Sequence, residues 1–470
     1  MSRSPDLIDS ARRGRPPARN EIFRAGRLAG LDAEDLAAQF GTPCYVYDLA
    51  VMDRQVAALG TILPERAELA YAVKANPALA VVTHLARLGL GADVASGGEL
   101  VTALRAGIDP ERIVMTGPGK REVELAQAVR AGIRAITVES LGELARLERI
   151  AAEIGRRQPV MLRAAVSEVA RLERVRLVGD DGAGKFGMDA ADLARAARIA
   201  ARSAHLEFVG LHAFGASNVL DAHALVEHAS ATARAARGLA RLVDLPIRLV
   251  DVGGGLGIPY EAHEESLDLV SLRRGLAALV DTWKDDPWLA DARLLLEPGR
   301  FLVGPSGAYV ARVLDTKAVD GAAVAILDGG VHHVLRPALV GQEHRVRLLS
   351  PSGGRPLPVT IAGPLCSGLD VLAHAAVMPM PAVGDLIAVL DVGAYGYTES
   401  MPLFLSHPLP AEVVARDGAV AMIRPRLEPA TWLDLQVVPD LVRAPDRVPV
   451  RDRVPVRDRV PATPREGGSP

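Results

Sequence analysis

From about residue 35 to about residue 300 the chain repeats one unit, a short apolar run followed by an Ala/Leu/Arg-rich amphipathic stretch. The runs at 113–115, 135–138, 208–211, 249–252 and 294–297 are separated from one another by helical patterning. Strand–helix alternation kept up over roughly 250 residues predicts a closed parallel (β/α)8 barrel rather than a doubly wound open sheet. After residue 300 the texture changes to short β-rich runs at 308–313, 322–327 and 386–390 with Gly/Pro/Asp turns between them, which reads as a second, all-β domain. The expected division is a leader plus the first part of the β domain at 1–34, the barrel at 35–300, the β domain at 301–435 and a tail at 436–470. The tail repeats Asp-Arg-Val-Pro-Val-Arg, beginning at Asp446 and again at Asp452, and proline at that density with alternating charge predicts disorder or an extended polyproline-like chain.

At 470 residues the chain is long enough for two cores. Its net charge of −3 comes from interspersed signs, so no basic stripe points to nucleic acid or to a membrane surface, and no apolar run is long enough to span a bilayer. A small-molecule partner follows. The two cysteines, Cys44 and Cys366, have no metal-ligand spacing and make no disulfide framework, which fits a reducing, cytoplasmic setting. The arginine-rich start reads as a disordered leader, with a transit peptide as the alternative.

Only five residues are lysine: Lys74, Lys120, Lys185, Lys284 and Lys317. Lys74 ends the apolar run 69–73 and is followed by turn residues, a strand-end position where α/β folds place reactive groups. Asp93 and Glu297 follow other apolar runs, and Glu297 opens the turn Glu297-Pro298-Gly299-Arg300. Gly253-Gly254-Gly255 lets backbone N–H groups approach an anion closely. His212 adds a flat ring. An amine for a Schiff base, a ring to stack, a carboxylate for a pyridinium nitrogen and a phosphate cup are what pyridoxal phosphate requires.

The ordered set 71–77, 93–99, 185–188, 251–257, 297–300, 363–370 and 393–395 resembles the fold-type III pyridoxal-phosphate decarboxylases, the group of the diaminopimelate, ornithine and arginine decarboxylases, over roughly residues 35–430. The resemblance implies an alanine racemase/ornithine decarboxylase-like barrel plus β domain. It also implies that Lys74 bonds the cofactor, His212 stacks on its ring and Glu297 pairs with its pyridine nitrogen. Asp93 belongs to the same cofactor site. The phosphate would be held by Ser217, by the Tyr395 hydroxyl and by the backbone at Gly254, Gly255, Gly299 and Arg300. A homodimer with shared active sites is implied, in which Cys366 enters the partner's site and protonates the carbanionic intermediate. Alanine racemases put an arginine at the ring nitrogen, so Glu297 favours decarboxylation.

The departures from the family pattern cluster at the substrate. Arg300, Arg336, Ser367 and Tyr395 are the expected substrate contacts. Where diaminopimelate decarboxylases have glutamate after the cysteine, this chain has Ser367, and Val340 replaces their tyrosine near Arg336. The turn from His212 to Ser217 is two residues longer than usual, and 162–165 departs from the usual Arg-Val-Asn-Pro. The same reaction on an altered amino acid is expected, including one tethered to a carrier protein. Diaminopimelate decarboxylation itself is the alternative, and a non-catalytic regulatory homologue is the reading from another class. The tail would then be a docking segment for the carrier. His332 and His333, as neighbours on a strand, would face opposite ways, so at most one reaches substrate. Lys120, in a Gly/Pro turn, reads as solvated or structural, and Arg163 as a cofactor contact, an anchor for His212 or a structural ion pair.

Overall fold

Eight parallel strands close into a barrel in the computed structural model: β4 (Ala67–Ala72), β5 (Gly91–Val94), β6 (Ile113–Met115), β7 (Ala135–Val138), β8 (Gln158–Arg163), β9 (Leu206–His212), β10 (Leu249–Asp251) and β11 (Arg293–Leu296). They follow β1 (Phe23–Arg24), β2 (Arg27–Leu28) and β3 (Cys44–Asp48), and β11 closes the ring by pairing with β4. The structure describes residues 22–24, 27–165, 184–261, 263–350, 353–439 and 442. The leader at 1–21 and the Asp-Arg-Val-Pro repeats from 446 onward lie outside the described residues.

Short strands between long helices are held by two kinds of local signal. Ser96, Ser140 and Asp221 cap the helices Gly97–Arg105, Leu141–Ile154 and Ala222–Val243, their side-chain oxygens accepting from first-turn N–H groups that have no helical partner. Inside the barrel, Ala70, Val114, Ala135, Met161, Val209, Leu249 and Leu295 pack as one buried cluster, small and branched side chains filling the narrow interior.

The second sheet contains β12 (Gly307–Val319), β13 (Ala322–Leu327), β14 (Val346–Leu348), β15 (Leu357–Ala362), β16 (Val371–Met378), β17 (Leu386–Leu390), β18 (Ala411–Arg416) and β19 (Ala419–Arg424). One correction concerns β3. The segment Cys44–Asp48, which the sequence reading put within the barrel range, pairs with β12 and β18 in this sheet. Its five residues are buried or nearly so, and an apolar strand of that kind is equally at home in either core until its partners are known. Cys44, Val46, Val310, Leu386, Ala388 and Val413 are part of the resulting buried cluster.

The described residues up to Leu427 form one compact unit and those from Glu428 a second, in which Pro429–Leu433 is a short helix. Within the first unit the sheet reaches the barrel mouth through the loop 393–395. Asn76 Nδ2 donates to Gly393 O at 3.0 Å, and Tyr395 N donates to Ala75 O at 2.8 Å. These bonds fasten the loop to the turn that carries Lys74. No helix among the described residues is long and apolar enough to cross a membrane.

Candidate active site

Lys74 lies in the 3-10 turn Val73–Ala75, immediately after β4, so its side chain leaves the strand at the end where the barrel opens. Its Nζ donates to Asp93 Oδ2 at 2.8 Å, and Thr116 Oγ1 donates to the other Asp93 oxygen at 2.5 Å. The lysine side chain is 43% exposed and its partner fully buried, so the amine faces an open cleft while its counter-ion is fixed in the wall. Burial opposes the ammonium, but Asp93 first and Glu297 second outweigh it and hold the Lys74 pKa above the ordinary lysine value.

Three more polar groups meet at the ends of β9, β10 and β11. Ligand atoms of His212, Asp251 and Glu297 all lie within 4.8 Å of one another, and all three residues are buried. His212 Nε2 is 3.6 Å from Glu297 Oε2, too long for a hydrogen bond but close enough for strong electrostatic coupling. Burial alone would raise the Glu297 carboxyl; His212 and then Lys74 override it and hold Glu297 below the usual carboxylate range. Asp251 goes the other way. Burial, and then the charge of Glu297, push its carboxyl well above that range, so one acid of the pair is ionised and the other keeps its proton. Asp251 Oδ1 accepts from Gly253 N at 2.9 Å. Glu297 Oε1 and His212 Nδ1 have no hydrogen-bond partner.

A cleft of about 330 Å³ opens in front of these groups, lined by Ala72, Lys74, Phe214, Ser217, Asn218, Gly254, Gly255, Leu256, Glu297, Gly299, Arg300 and Tyr395. Its floor is backbone. A Cβ on Gly254 would stand 2.5 Å from Glu297 O, and Gly255 has φ +94 with a Cβ position 2.9 Å from Ala216 O, so neither place accepts a side chain without displacement. Arg300 spans the rim, with Nη1 donating to the Tyr260 hydroxyl at 2.7 Å and Nη2 to Ser217 Oγ at 3.3 Å. The Tyr395 ring lies against two guanidiniums, its centroid 4.8 Å from Arg300 Cζ and 5.2 Å from Arg336 Cζ.

An ionised acid with one orphaned buried oxygen, a reachable amine and a side-chain-free cradle fit pyridoxal phosphate. A ring N–H would satisfy Glu297, and a phosphate would meet the glycine backbone and Ser217. The spacing of His212, Asp251 and Glu297 would also admit a metal ion, yet an amine paired to Asp93 beside a glycine cradle is not part of what an ion needs. A family model described as the pyridoxal-dependent decarboxylase, pyridoxal binding domain, matches residues 49–304. The chain belongs to that family. It is 33% identical over 402 residues to an L-glutamyl-[BtrI acyl-carrier protein] decarboxylase of Niallia circulans, covering 83% of this chain and 92% of that one. It is likewise 33% identical over 395 residues to the diaminopimelate decarboxylase of Helicobacter pylori strain J99, covering 84% and 95%. Among solved structures, the Helicobacter pylori diaminopimelate decarboxylase complexed with L-lysine superposes with a TM-score of 0.79 at 32% identity, covering 86% of this chain and 99% of that one. This protein is therefore a pyridoxal-phosphate-dependent decarboxylase with the barrel and β-sheet architecture of its relatives.

Of the residues singled out from sequence in this decarboxylase, Lys74, Ser217, Gly254, Gly255, Glu297, Gly299, Arg300 and Tyr395 line one cleft. Asp93 and His212 stand directly behind it, against Lys74 and Glu297. Arg336 reaches the cleft through the Tyr395 ring, and its Nη1 donates to both carboxylate oxygens of Glu399, at 3.0 and 2.8 Å. Cys366 and Ser367 are not in the lining of this chain's cleft; Cys366 is exposed on the loop 363–370. Buried Asp370 orders that loop, accepting from Leu365 N and from Val331 N, both at 2.7 Å.

The structure departs from expectation at the two histidines and selects among the stated readings at Lys120 and Arg163. His332 and His333 are on a turn, not a strand, so their rings lie side by side with centroids 3.8 Å apart, and both are buried away from the cleft lining. Lys120 is structural: its buried Nζ donates to Gly117 O, Thr137 O and Glu143. Arg163 pairs with Glu139 at 2.7 Å and lies 4.5 Å over the Phe186 ring, the ion-pair reading. Sequence reasoning passed over Asp251 and Glu399 as individual site residues. Asp251 was visible as the acid preceding the glycine turn, whereas nothing in the sequence ties Glu399 to Arg336.

Proposed function

We propose that this decarboxylase removes the α-carboxylate of an amino acid whose distal group is uncharged, as in an amino acid tethered through that group to a carrier protein. The Arg336–Glu399 pair carries the reading. A free diaminopimelate-type substrate brings a distal carboxylate and a distal ammonium, which call for an open guanidinium and an acid. Here the guanidinium is already neutralised from within the chain, and the residue after Cys366 is Ser367, which has no charge to offer. A thioester or amide asks for neither. The similarity to a relative named for an L-glutamyl carrier-protein substrate supports the same reading.

In this reading Lys74 Nζ would carry the cofactor, with Asp93 orienting that amine. Ser217, the Tyr395 hydroxyl and the backbone of Gly254, Gly255, Gly299 and Arg300, which line the cleft, would hold the phosphate, and His212 would back the ring. Bound pyridoxal phosphate supplies the electron sink for the bond to the departing carboxylate. Glu297, held ionised, would keep the proton on the ring nitrogen and so preserve that sink. Cys366 Sγ, exposed on its loop, reaches the site of a second copy of the chain and returns a proton to the α-carbon. The working form is thus a homodimer.

The test is carbon dioxide release from a glutamyl-loaded carrier protein set against free glutamate and meso-diaminopimelate. Turnover of the loaded carrier alone is the expected result. Efficient turnover of meso-diaminopimelate, with kcat/KM within about 10⁴–10⁸ M⁻¹s⁻¹, would make the protein a diaminopimelate decarboxylase instead.

A further inference from the structure

We propose that His228, on the outer helix Ala222–Val243, is a positioning residue for the cofactor site, its Nε2–H clamping together the loops that leave β9 and β10. The ring is buried, with Nε2 3.2 Å from Ala213 O and 3.3 Å from Val252 O. Both partners are carbonyls, which only accept, so Nε2 carries the proton and shares it between them. Nδ1 is buried without a partner, which costs stability and calls for an offsetting role.

The role follows from where the two carbonyls sit. Ala213 comes directly after His212, and Val252 lies between Asp251 and Gly253. Their N–H groups still belong to the barrel ladder, Ala213 N donating to Asp251 O at 2.9 Å and Val252 N to Leu295 O at 3.1 Å. Just beyond them the strands part, one into the Phe214 turn and the other into Gly253-Gly254-Gly255, where φ at Gly253 is +64. The shared imidazole proton supplies a cross-link at the point where the ladder breaks off, ahead of the backbone bridge at which Val219 N donates to Gly255 O and Val219 O accepts from Gly257 N. It fixes the ring of His212 and the N–H groups of the glycine turn relative to one another. Burial lowers the His228 pKa, which keeps the ring in the neutral form that this bonding describes. His228 is absent from the cleft lining, so it acts through the loops and not on the substrate.

The inference rests on the proposed placement of the cofactor between Lys74 and the Gly254–Gly255 backbone, and the experiment separates the two. Pyridoxal 5′-phosphate affinity is measured, by the absorbance of the lysine-bound cofactor, for the full-length enzyme and for His228→Leu, His228→Asn, His228→Gln and Lys74→Ala. Leucine keeps the bulk without a donor, asparagine is too short to reach both carbonyls, and glutamine places an amide N–H near the Nε2 position. His228→Leu and His228→Asn should each weaken affinity roughly three- to tenfold, the loss expected for a missing hydrogen bond, and His228→Gln should stay within about twofold of wild type. If the leucine variant does not fold, the asparagine and glutamine variants decide in the same way. Wild-type affinity in the leucine and asparagine variants, or equal weakening in all three, would overturn the role. Persistence of the lysine-bound absorbance in Lys74→Ala would instead overturn the cofactor placement itself.

Discussion

Arg336 and Glu399 form a buried-to-surface ion pair in which one guanidinium nitrogen, Nη1, serves both carboxylate oxygens, at 3.0 and 2.8 Å. In the proposed reading the pair occupies the charge that would otherwise attract a substrate carboxylate. Glu399→Gln should therefore lower KM for free diaminopimelate or free glutamate by about tenfold or more, the scale of one charge-assisted hydrogen bond, and leave turnover of a carrier-tethered substrate little changed. Steady-state kinetics on both substrate classes checks this. No gain for either free amino acid would remove Arg336 from the distal pocket.

Asp93 holds the Lys74 ammonium at 2.8 Å and helps raise its pKa. Only the neutral amine attacks a carbonyl, so attachment of the cofactor speeds up as pH rises toward that pKa. Asp93→Asn removes the largest of the raising charges and should move the profile to lower pH. Stopped-flow absorbance of pyridoxal phosphate attachment between about pH 6 and pH 10 would show the shift, the range being bracketed by ordinary histidine and lysine values. An unmoved profile would mean that Asp93 does not control the amine.

The adjacent acids Asp251 and Glu297 should respond oppositely to amide substitution. Asp251 is held protonated, so Asp251→Asn preserves its shape, its neutrality and its acceptance from Gly253 N. Cofactor binding should survive. An acid whose folded pKa is raised favours folding most at low pH, and that contribution is lost as pH rises from the unfolded pKa toward the folded one. Wild type thus gives up at most about 1.4 kcal/mol per pH unit over that window, and the asparagine variant gives up none. Its melting temperature relative to wild type should rise between pH 4 and pH 7. Glu297→Gln removes the ionised partner and should cut kcat by about 10²–10³. Equal effects of the two substitutions would contradict the assignment of the proton.

Cys366→Ala should leave cofactor absorbance intact and lower kcat, since the thiol is exposed and outside the lining of its own chain's cleft. A shared site makes a further demand. Mixing the impaired Cys366→Ala protein with the inactive Lys74→Ala protein and allowing subunits to exchange should raise activity to about one quarter of wild type or more, because half of the dimers then hold one site with both groups. No recovery after demonstrated exchange would place the two residues in the same chain's site.

Much of this was readable from residue order. Lys74 stood out as a rare lysine at a strand end, and the glycine turn at 253–255 and the Glu297–Arg300 turn declared themselves by composition. Cys44–Asp48 was misplaced because an apolar strand carries no label for the sheet it joins. His332 and His333 were read with strand alternation, but the backbone turns there and brings both rings to one side. The contact between Arg336 and Glu399 spans 63 residues, and the Asn76 and Tyr395 bonds to the Lys74 turn span more than 300. No local pattern encodes such separations.

The sequence by itself determined the barrel-plus-sheet plan and the cofactor, and it pointed to the residues proposed to hold it, because those depend on local periodicity and on which side chains can carry an amine, an acid or a bare backbone turn. Tertiary structure alone decided which acid ionises, which arginine is already paired and which histidine ties the loops. Charge state and pairing depend on distances of a few ångströms in a low-dielectric interior, and those distances exist only after strands remote in sequence have closed into one barrel.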